Sequence, residues 1–345
     1  MLRRAPLPLR AAERDDGDPL VILGGPAVGA NPAPLAPVAD AIVIGEGEPI
    51  LADLVSALRE GWARPRAATL AALAALPGVY VPALHDGRPI PRLCQSDLDA
   101  YPTGTRIIAP QAEFGDMFLI EISRGCQRGC RFCLAGQWYR PLRERSLESV
   151  LAQAQEGLAY RHKIGLVGAA VSDYGAIDAL ALRLRQMGAA LSVSSLRVHP
   201  LSLPLVAALA ESGSQAITLA PEAGSERLRR AIRKGVTHEQ IIHALEVVRG
   251  RFASLKLYFM IGLPGEEEED IEALLQLVGE VARLFEREVV VNVTPFVPKA
   301  HTPYQREAMA PAEVLEARLA RLREGCRALR ASLRAEGVAE ARAQA

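Results

Sequence analysis

Six short apolar or β-branched runs, Phe118–Ile122, Ile164–Val171, Leu191–Ser194, Ala216–Leu219, Leu255–Ile261 and Val289–Thr294, recur with a helical pattern in every interval. Strands separated by helices pair in parallel, because returning the chain to the same end of a sheet takes a crossover of that length. The intervals predict helices over Ser146–Ala159, Ala176–Met187, Leu203–Glu211, Ser225–Arg233, His238–Arg249 and Glu267–Phe285, with Thr237 and Gln240 spaced as a capping box. Six βα units suit a curved, partial (β/α)6 TIM-like barrel better than the eight of a closed one. The expected fold class is α/β, and the chemistry is expected just beyond the carboxyl ends of the strands.

The first hundred or so residues form a different object. Pro19–Leu23 and Ala41–Ile44 read as two buried strands, ending in Gly24-Gly25-Pro26 and Gly45-Glu46-Gly47-Glu48, with a helix over Pro49–Arg59. Two parallel strands cannot cover both faces of a sheet alone, so this resembles part of a small, incomplete Rossmann-like α/β domain. A linker, an alanine-rich helix through Leu76 and a proline-studded stretch to Pro110 follow. After the last strand comes a stiff loop, Pro295–Gln305, and a helix starting near Pro311. On it Leu315, Leu319, Leu322, Cys326, Leu329 and Leu333 make one apolar seam, which makes Cys326 a core thiol. The expected domains are 1–60, a linker at 61–112, the barrel at 113–305 and a C-terminal helical extension at 306–345.

Forty Lys and Arg balance 40 Asp and Glu among 345 residues, and half the chain is apolar. That balance argues against a general nucleic-acid binder and against disorder. The longest apolar stretch, Leu70–Leu76, is far below the roughly 20 residues that cross a bilayer, and the start lacks the apolar core of a secretory signal. A cytoplasmic location is expected.

Five cysteines are too few for a disulfide scaffold. Cys94 and Cys326 stand alone, whereas Cys126, Cys130 and Cys133 follow the first barrel strand at C-x3-C-x2-C. Three thiolates cannot close a tetrahedral zinc site without a fourth ligand, yet they suit a four-iron cluster with one iron left open. A zinc knot completed by a histidine, three unrelated cysteines, or a metal site serving assembly without catalysis are the alternatives.

With Phe132 in the place of the motif's aromatic residue, this segment resembles the radical S-adenosylmethionine (radical SAM) superfamily, which binds a [4Fe–4S] cluster through C-x3-C-x-aromatic-C on a partial (β/α)6 barrel. Other segments resemble the bacterial members with an N-terminal cobalamin-binding-like domain: Pro19–Pro26, Gly45–Glu48, Pro77–Pro82, Gln137–Pro141, Ser194–Arg197, Ala220–Arg229 and Lys256–Glu266. The resemblance implies reductive cleavage of S-adenosylmethionine to methionine and a 5′-deoxyadenosyl radical that acts on a substrate the sequence does not name. It implies Cys126, Cys130 and Cys133 as cluster ligands and a reductant such as flavodoxin or ferredoxin as partner.

It also implies cofactor contacts at strand ends. Ser172 and Asp173 follow the second strand, where relatives hold the amino group of the methionine moiety, although Val167–Ala170 departs from their usual Gly-Gly-Glu. Ser195 and Arg197 follow the third strand and suit a carboxylate or ribose, Arg197 alternatively pairing with an acidic neighbour. Glu222 is placed for the ribose hydroxyls, or as a cap for the helix that Ser225 opens toward an anion. Gly262 and Leu263 leave the backbone open to adenine, or form only a turn. Trp138 and Tyr139 are candidates for lining the substrate entrance or for packing under the loop, and His301 is a candidate for acting on substrate. The earlier half of a cobalamin domain and its Asp-x-His-x-x-Gly stretch do not occur, so cobalamin binding is not expected unless a partner chain completes the domain; the appearance also fits a misplaced start. Two thiols outside the motif are too few for an auxiliary cluster, which argues against a methylthiotransferase.

Overall fold

The computed structural model describes residues 7–344, in two compact units that divide after Asp97. The first unit contains β1 (Ile22–Leu23), α1 (Pro26–Gly29), β2 (Ala41–Val43), α2 (Leu51–Gly61), α3 (Arg66–Ala74) and β3 (Val79–Tyr80). The two expected strands pair in parallel, Ile22 opposite Ala41. A third, β3, pairs antiparallel with β2. The stretch expected as a linker at 61–112 thus supplies this unit with a helix and an edge strand. The physical reason is burial: Leu73, Val79 and Val81 join Ala41, Val43 and Ile50 in one core that β1 and β2 could not complete.

The second unit carries the parallel strands. Its elements run β4 (Met117–Glu121), β5 (Ser123–Arg124), α4 (Leu134–Trp138), β6 (Arg143–Glu144), α5 (Leu147–Leu158), β7 (Lys163–Val167), α6 (Ile177–Gln186), β8 (Ala190–Ser192), α7 (Leu203–Glu211) and β9 (Ala216–Glu222), then α8 (Glu226–Ala231), α9 (His238–Val248), β10 (Ser254–Ile261), α10 (Glu268–Phe285), β11 (Glu288–Pro295), α11 (Ala312–Ala328), β12 (Ser332–Ala335) and α12 (Val338–Gln344). Strands β4-β7-β8 form one sheet and β9-β10-β11-β12 another. A parallel bridge between Leu196 and Leu219 joins them, with the Leu196 N–H donating to the Thr218 carbonyl at 2.9 Å. The result is an open, partial barrel, the class the six-unit pattern predicts.

Local chemistry explains the helices. Ser146 and Ser202 cap α5 and α7 by accepting from Ser149 and Leu205 N–H, and α9 begins with the expected Thr237–Gln240 capping box. Along β10, Leu255, Leu257, Phe259 and Ile261 are buried, while Lys256, Tyr258 and Met260 alternate onto the other, more open face. A fully buried side chain of this size contributes about 2–3 kcal/mol.

Three expectations change. The second barrel strand stops at Val167, because the chain turns at Gly168–Ala170 and makes a short 3-10 turn over Val171–Asp173. The C-terminal helix ends at Ala328: Arg330 takes a left-handed conformation, the Ala331 N–H donates back to the Cys326 carbonyl at 2.9 Å, and Leu333 belongs to β12, parallel to β11. That adds a seventh parallel strand, while Leu315, Leu319, Leu322 and Cys326 pack into the core as the seam predicts. The helix expected over Ser225–Arg233 ends two residues early at Ala231. No helix among the described residues is long and apolar enough to cross a membrane.

Candidate active site

The cysteine segment is the connection of a small hairpin just beyond β4. Its base is the antiparallel pair Ser123–Glu144 and Arg124–Arg143. Gly125 enters the loop at φ 83°, and a side chain there would run into the carbonyl oxygens of Tyr139 and Pro141, so this close approach requires glycine. Arginines stitch the return strand: Arg140 Nε donates to the Gly136 carbonyl at 2.9 Å, and buried Arg143 donates to those of Pro141 and Tyr139 at 3.1 Å each. The Arg131 N–H donates to the Ile232 carbonyl at 3.0 Å, and the Tyr304 N–H to that of Arg131 at 3.4 Å, tying the loop to the α8–α9 turn and the loop after β11.

Cys130 is buried, and Cys126 and Cys133 are partly so. Backbone N–H groups already face two sulfurs: Gly136 donates to Cys133 Sγ at 3.3 Å, making Cys133 the N-cap of α4, and Arg128 donates to Cys126 Sγ at 3.5 Å. Burial pushes the Cys130 and Cys133 thiols up. Lys234 and Arg197 pull Cys130 the other way, while the neighbouring Cys126 and Cys133 add to its rise. At Cys133 the Gly136 N–H and Lys234 oppose burial, and Cys126 and Glu222 reinforce it. Cys130 thus lies in the field of Lys234 and Arg197, and Cys133 in that of Glu222 and Lys234. Among the described residues no three His, Cys, Asp or Glu side chains converge as a site for a single metal ion. An iron–sulfur cube with one open iron takes three thiolates. The donor set, its N–H···S bonds and its buried cations fit such a group.

Two strand ends meet beside the thiols. Arg128 grips Asp173 with two 2.8 Å bonds, and this pairing raises the Arg128 pKa against the cost of burial. Arg197 Nε lies 3.6 Å from Asp173, buried and without a hydrogen-bond partner, while the Arg197 N–H donates to Ser172 Oγ at 3.0 Å. Ser172, Asp173 and Arg197 thus form one assembly, with Ser195 half-buried two residues before Arg197. At the end of β9, Glu222 has φ 73°, a costly conformation for a side chain of this kind. It receives a 2.8 Å bond from Lys234 Nζ, whose side chain is 8% exposed. Glu222 is not a helix cap here. Neither strand position nor motif identifies Lys234, the functional candidate that sequence reasoning missed. Its signal is a lone lysine between Arg233 and Gly235, a turn that can carry positive φ on both sides.

Other expected contacts fall elsewhere. Ser225 caps α8, accepting from the Leu228 N–H and donating to Asp270, which also pairs with Arg227. Its hydroxyl is engaged, and the six-residue α8 is too short to present an anion site. Phe132 and Leu263 pack with Ala223, Leu228, Ile232, Phe296 and Tyr304 in an apolar cluster that anchors the thiol loop. A β-carbon on Gly262 would lie 2.7 Å from Leu315 and 3.1 Å from Ala310, and its N–H donates to Glu266. A side chain at position 262 would therefore be crowded by the chain itself. Trp138 is buried, and its ring centroid lies 4.7 Å from that of His301 with the planes tilted by 43°. Cys94 lies in the first unit and Cys326 in the barrel core.

An open parallel barrel with a three-thiol loop at the mouth of its first strand defines the class, and the comparisons supply the family. Residues 120–278 match the Radical SAM superfamily and residues 1–82 match Radical SAM proteins, N-terminal. The chain belongs to the radical SAM superfamily of enzymes, whose cofactors are a [4Fe–4S] cluster and S-adenosylmethionine. An uncharacterized protein of Methanocaldococcus jannaschii is 34% identical over 310 residues, which are 87% of this chain and 64% of that one. The ribosomal protein uS12 methylthiotransferase RimO of Thermotoga petrophila is 29% identical over 47% of this chain and 41% of its own. The chain therefore spans less than two thirds of the length of either relative. The radical S-adenosylmethionine methyltransferase TsrM of Kitasatospora setae shares the fold at a TM-score of 0.63 and 17% identity, covering 84% of this chain and 57% of that one.

Proposed function

We propose that this chain binds a [4Fe–4S] cluster through Cys126, Cys130 and Cys133 and reductively cleaves S-adenosylmethionine. The observation that supports this reading is the gathering of three thiols with Arg197, Asp173, Glu222 and Lys234 beyond the carboxyl ends of the parallel strands. When bound, the cluster supplies the electron that breaks the cofactor's carbon–sulfur bond, giving methionine and a 5′-deoxyadenosyl radical. The chain's own residues hold and orient. Arg197, its Nε without a hydrogen bond, is assigned the methionine carboxylate, and Asp173 fixes its direction. Glu222, aimed by its left-handed backbone and steadied by Lys234, is assigned the ribose hydroxyls. The apolar cluster around Phe132 keeps the loop seated and water out beneath it.

Anaerobic reconstitution with iron, sulfide and dithionite is expected to yield 5′-deoxyadenosine from S-adenosylmethionine. Its absence from protein showing a full four-iron spectrum rejects the reading. A second reading, cobalamin-assisted methyl transfer, draws on the relatives' names: a Pyrococcus horikoshii protein, 27% identical over 76% of this chain, is described as an uncharacterized methyltransferase. S-adenosylhomocysteine formed only when cobalamin is added favours it, and failure to bind cobalamin excludes it.

A further inference from the structure

Strands β10, β11 and β12 present alternate residues to the helix-covered core, where Leu257, Val291 and Leu333 stand side by side. The positions between them point the other way, into the lumen of the open barrel. On that face Tyr258 lies opposite Asn292, Asn292 opposite Arg334, and Lys256 precedes Tyr258 by two residues. Strand β10 has a neighbour on each side, yet Tyr258 in its middle is 40% exposed, so the lumen above it is open.

The polar groups of this face are donors without acceptors. Lys256 and Arg334 have neither a hydrogen bond nor an ion pair among the described residues. Asn292 Nδ2 is shut off from water with no acceptor, and a turn about its terminal torsion presents that donor to the lumen. The carboxylates nearby are engaged or at the margin. Glu222 accepts from Lys234, Glu121 from Arg124 and Arg145, and Glu336 from the Gln344 amide. Glu288 stands on the same face, opposite Ser254 at the amino end of β11.

We infer that Lys256, Tyr258, Asn292 and Arg334 bind an oxyanion of the substrate, a carboxylate or a phosphate. The inference rests on the reading that the chain forms a 5′-deoxyadenosyl radical with Glu222 at the ribose. Phe259, the residue after Tyr258, is paired with Glu222, so the row begins beside that carboxylate and descends into the lumen. A substrate held there lies next to the radical. Adjacent strands are about 4.8 Å apart and diagonal neighbours about 7–8 Å, within the reach of an ammonium, a phenol, an amide and a guanidinium that share one small anion. A guanidinium takes either oxyanion through two parallel hydrogen bonds.

Isothermal titration of the whole chain, free of cluster, with inorganic phosphate and with succinate tests the inference. Wild type is expected to bind at least one of them saturably, and the tighter of the two names the oxyanion. Lys256→Gln/Arg334→Gln is expected to weaken that binding about tenfold or more, Lys256→Gln alone to fall in between, and Arg197→Gln to leave it within about twofold. The double variant is expected to keep its circular dichroism melting curve and, once reconstituted, to form 5′-deoxyadenosine without substrate within about twofold of wild type. No saturable binding of either anion by wild type overturns the inference. So does loss that follows Arg197→Gln and spares the lumen variants, which assigns the anion to the cofactor site. If wild type forms no 5′-deoxyadenosine, the functional reading fails, while the titrations still decide whether the row binds an oxyanion.

Discussion

Arg229 offers the sharpest link between packing and site. It projects from α8 into the turn after β9, where its side chain is almost completely buried. Nε donates to the Val236 carbonyl at 2.8 Å, and Nη1 to those of Ala223 and Gly224 at 3.0 and 2.6 Å. These carbonyls flank Glu222 on one side and Lys234 on the other, so one guanidinium holds both ends of the Glu222–Lys234 pair. Burial lowers its pKa, yet a guanidinium keeps its charge inside a protein. In Arg229→Met three acceptors lose a charged donor, each such bond being worth about 1.5–3 kcal/mol. The solvation returned by removing a buried cation offsets part of this, leaving a net loss of about 3 kcal/mol. For a unit of this size that corresponds to a fall in Tm of about 6–12 °C. Thermal unfolding of cluster-free protein by circular dichroism measures it. Arg229→Lys is expected to keep most of the loss, because one ammonium cannot span the three carbonyls. A fall below about 2 °C for Arg229→Met refutes the reasoning.

Four further outcomes follow from the same contacts. Asp173→Asn removes the carboxylate that aligns Arg128 and Arg197, and 5′-deoxyadenosine formation is expected to fall about tenfold or more with little change in Tm. Glu266 is buried against Arg318, and burial outweighs the Gly262 N–H and that guanidinium to push its pKa up to about 7. An acid whose pKa is raised in the folded state holds its proton there longer. Stability from this group is therefore present below about pH 4.5 and lost as pH rises to about 7, a slope in Tm that Glu266→Gln should remove. In Gly224→Ala the new β-carbon meets the backbone of Leu274 and Asp270, which cannot yield as a side chain can, and a loss of about 2 kcal/mol in urea unfolding is expected. Cys326→Ala, in the core, is expected to retain full iron content at a stability cost near 1 kcal/mol.

Much of the barrel was legible because its strands are apolar and its helices carry strong caps: Leu203–Glu211 matches residue for residue, and the Thr237–Gln240 box forms as spaced. What escaped depends on tertiary context. Residues 332–335 continue the spacing of the seam on α11, so only the left-handed turn at Arg330 and an open edge on β11 turn them into a strand. Val79 and Tyr80 are too short a run to declare a strand until β2 offers its edge. At the site, the cysteine spacing pointed to the loop, and the strand-end rule named Ser172, Asp173 and Arg197, which are joined by a hydrogen bond and an ion pair, and Glu222, which pairs with Lys234. Lys234 lies twelve residues beyond its partner Glu222, and a single basic residue in a basic turn carries no spacing signal.

The central claim is that Cys126, Cys130 and Cys133, and no other side chains, hold one four-iron cluster with an open corner. Mössbauer spectroscopy of anaerobically reconstituted protein tests it most directly. The account predicts a [4Fe–4S] spectrum in which S-adenosylmethionine perturbs one iron, and its loss in each of the three Cys→Ala variants but not in Cys326→Ala. A cluster that survives Cys130→Ala, or four irons indifferent to S-adenosylmethionine, contradicts it.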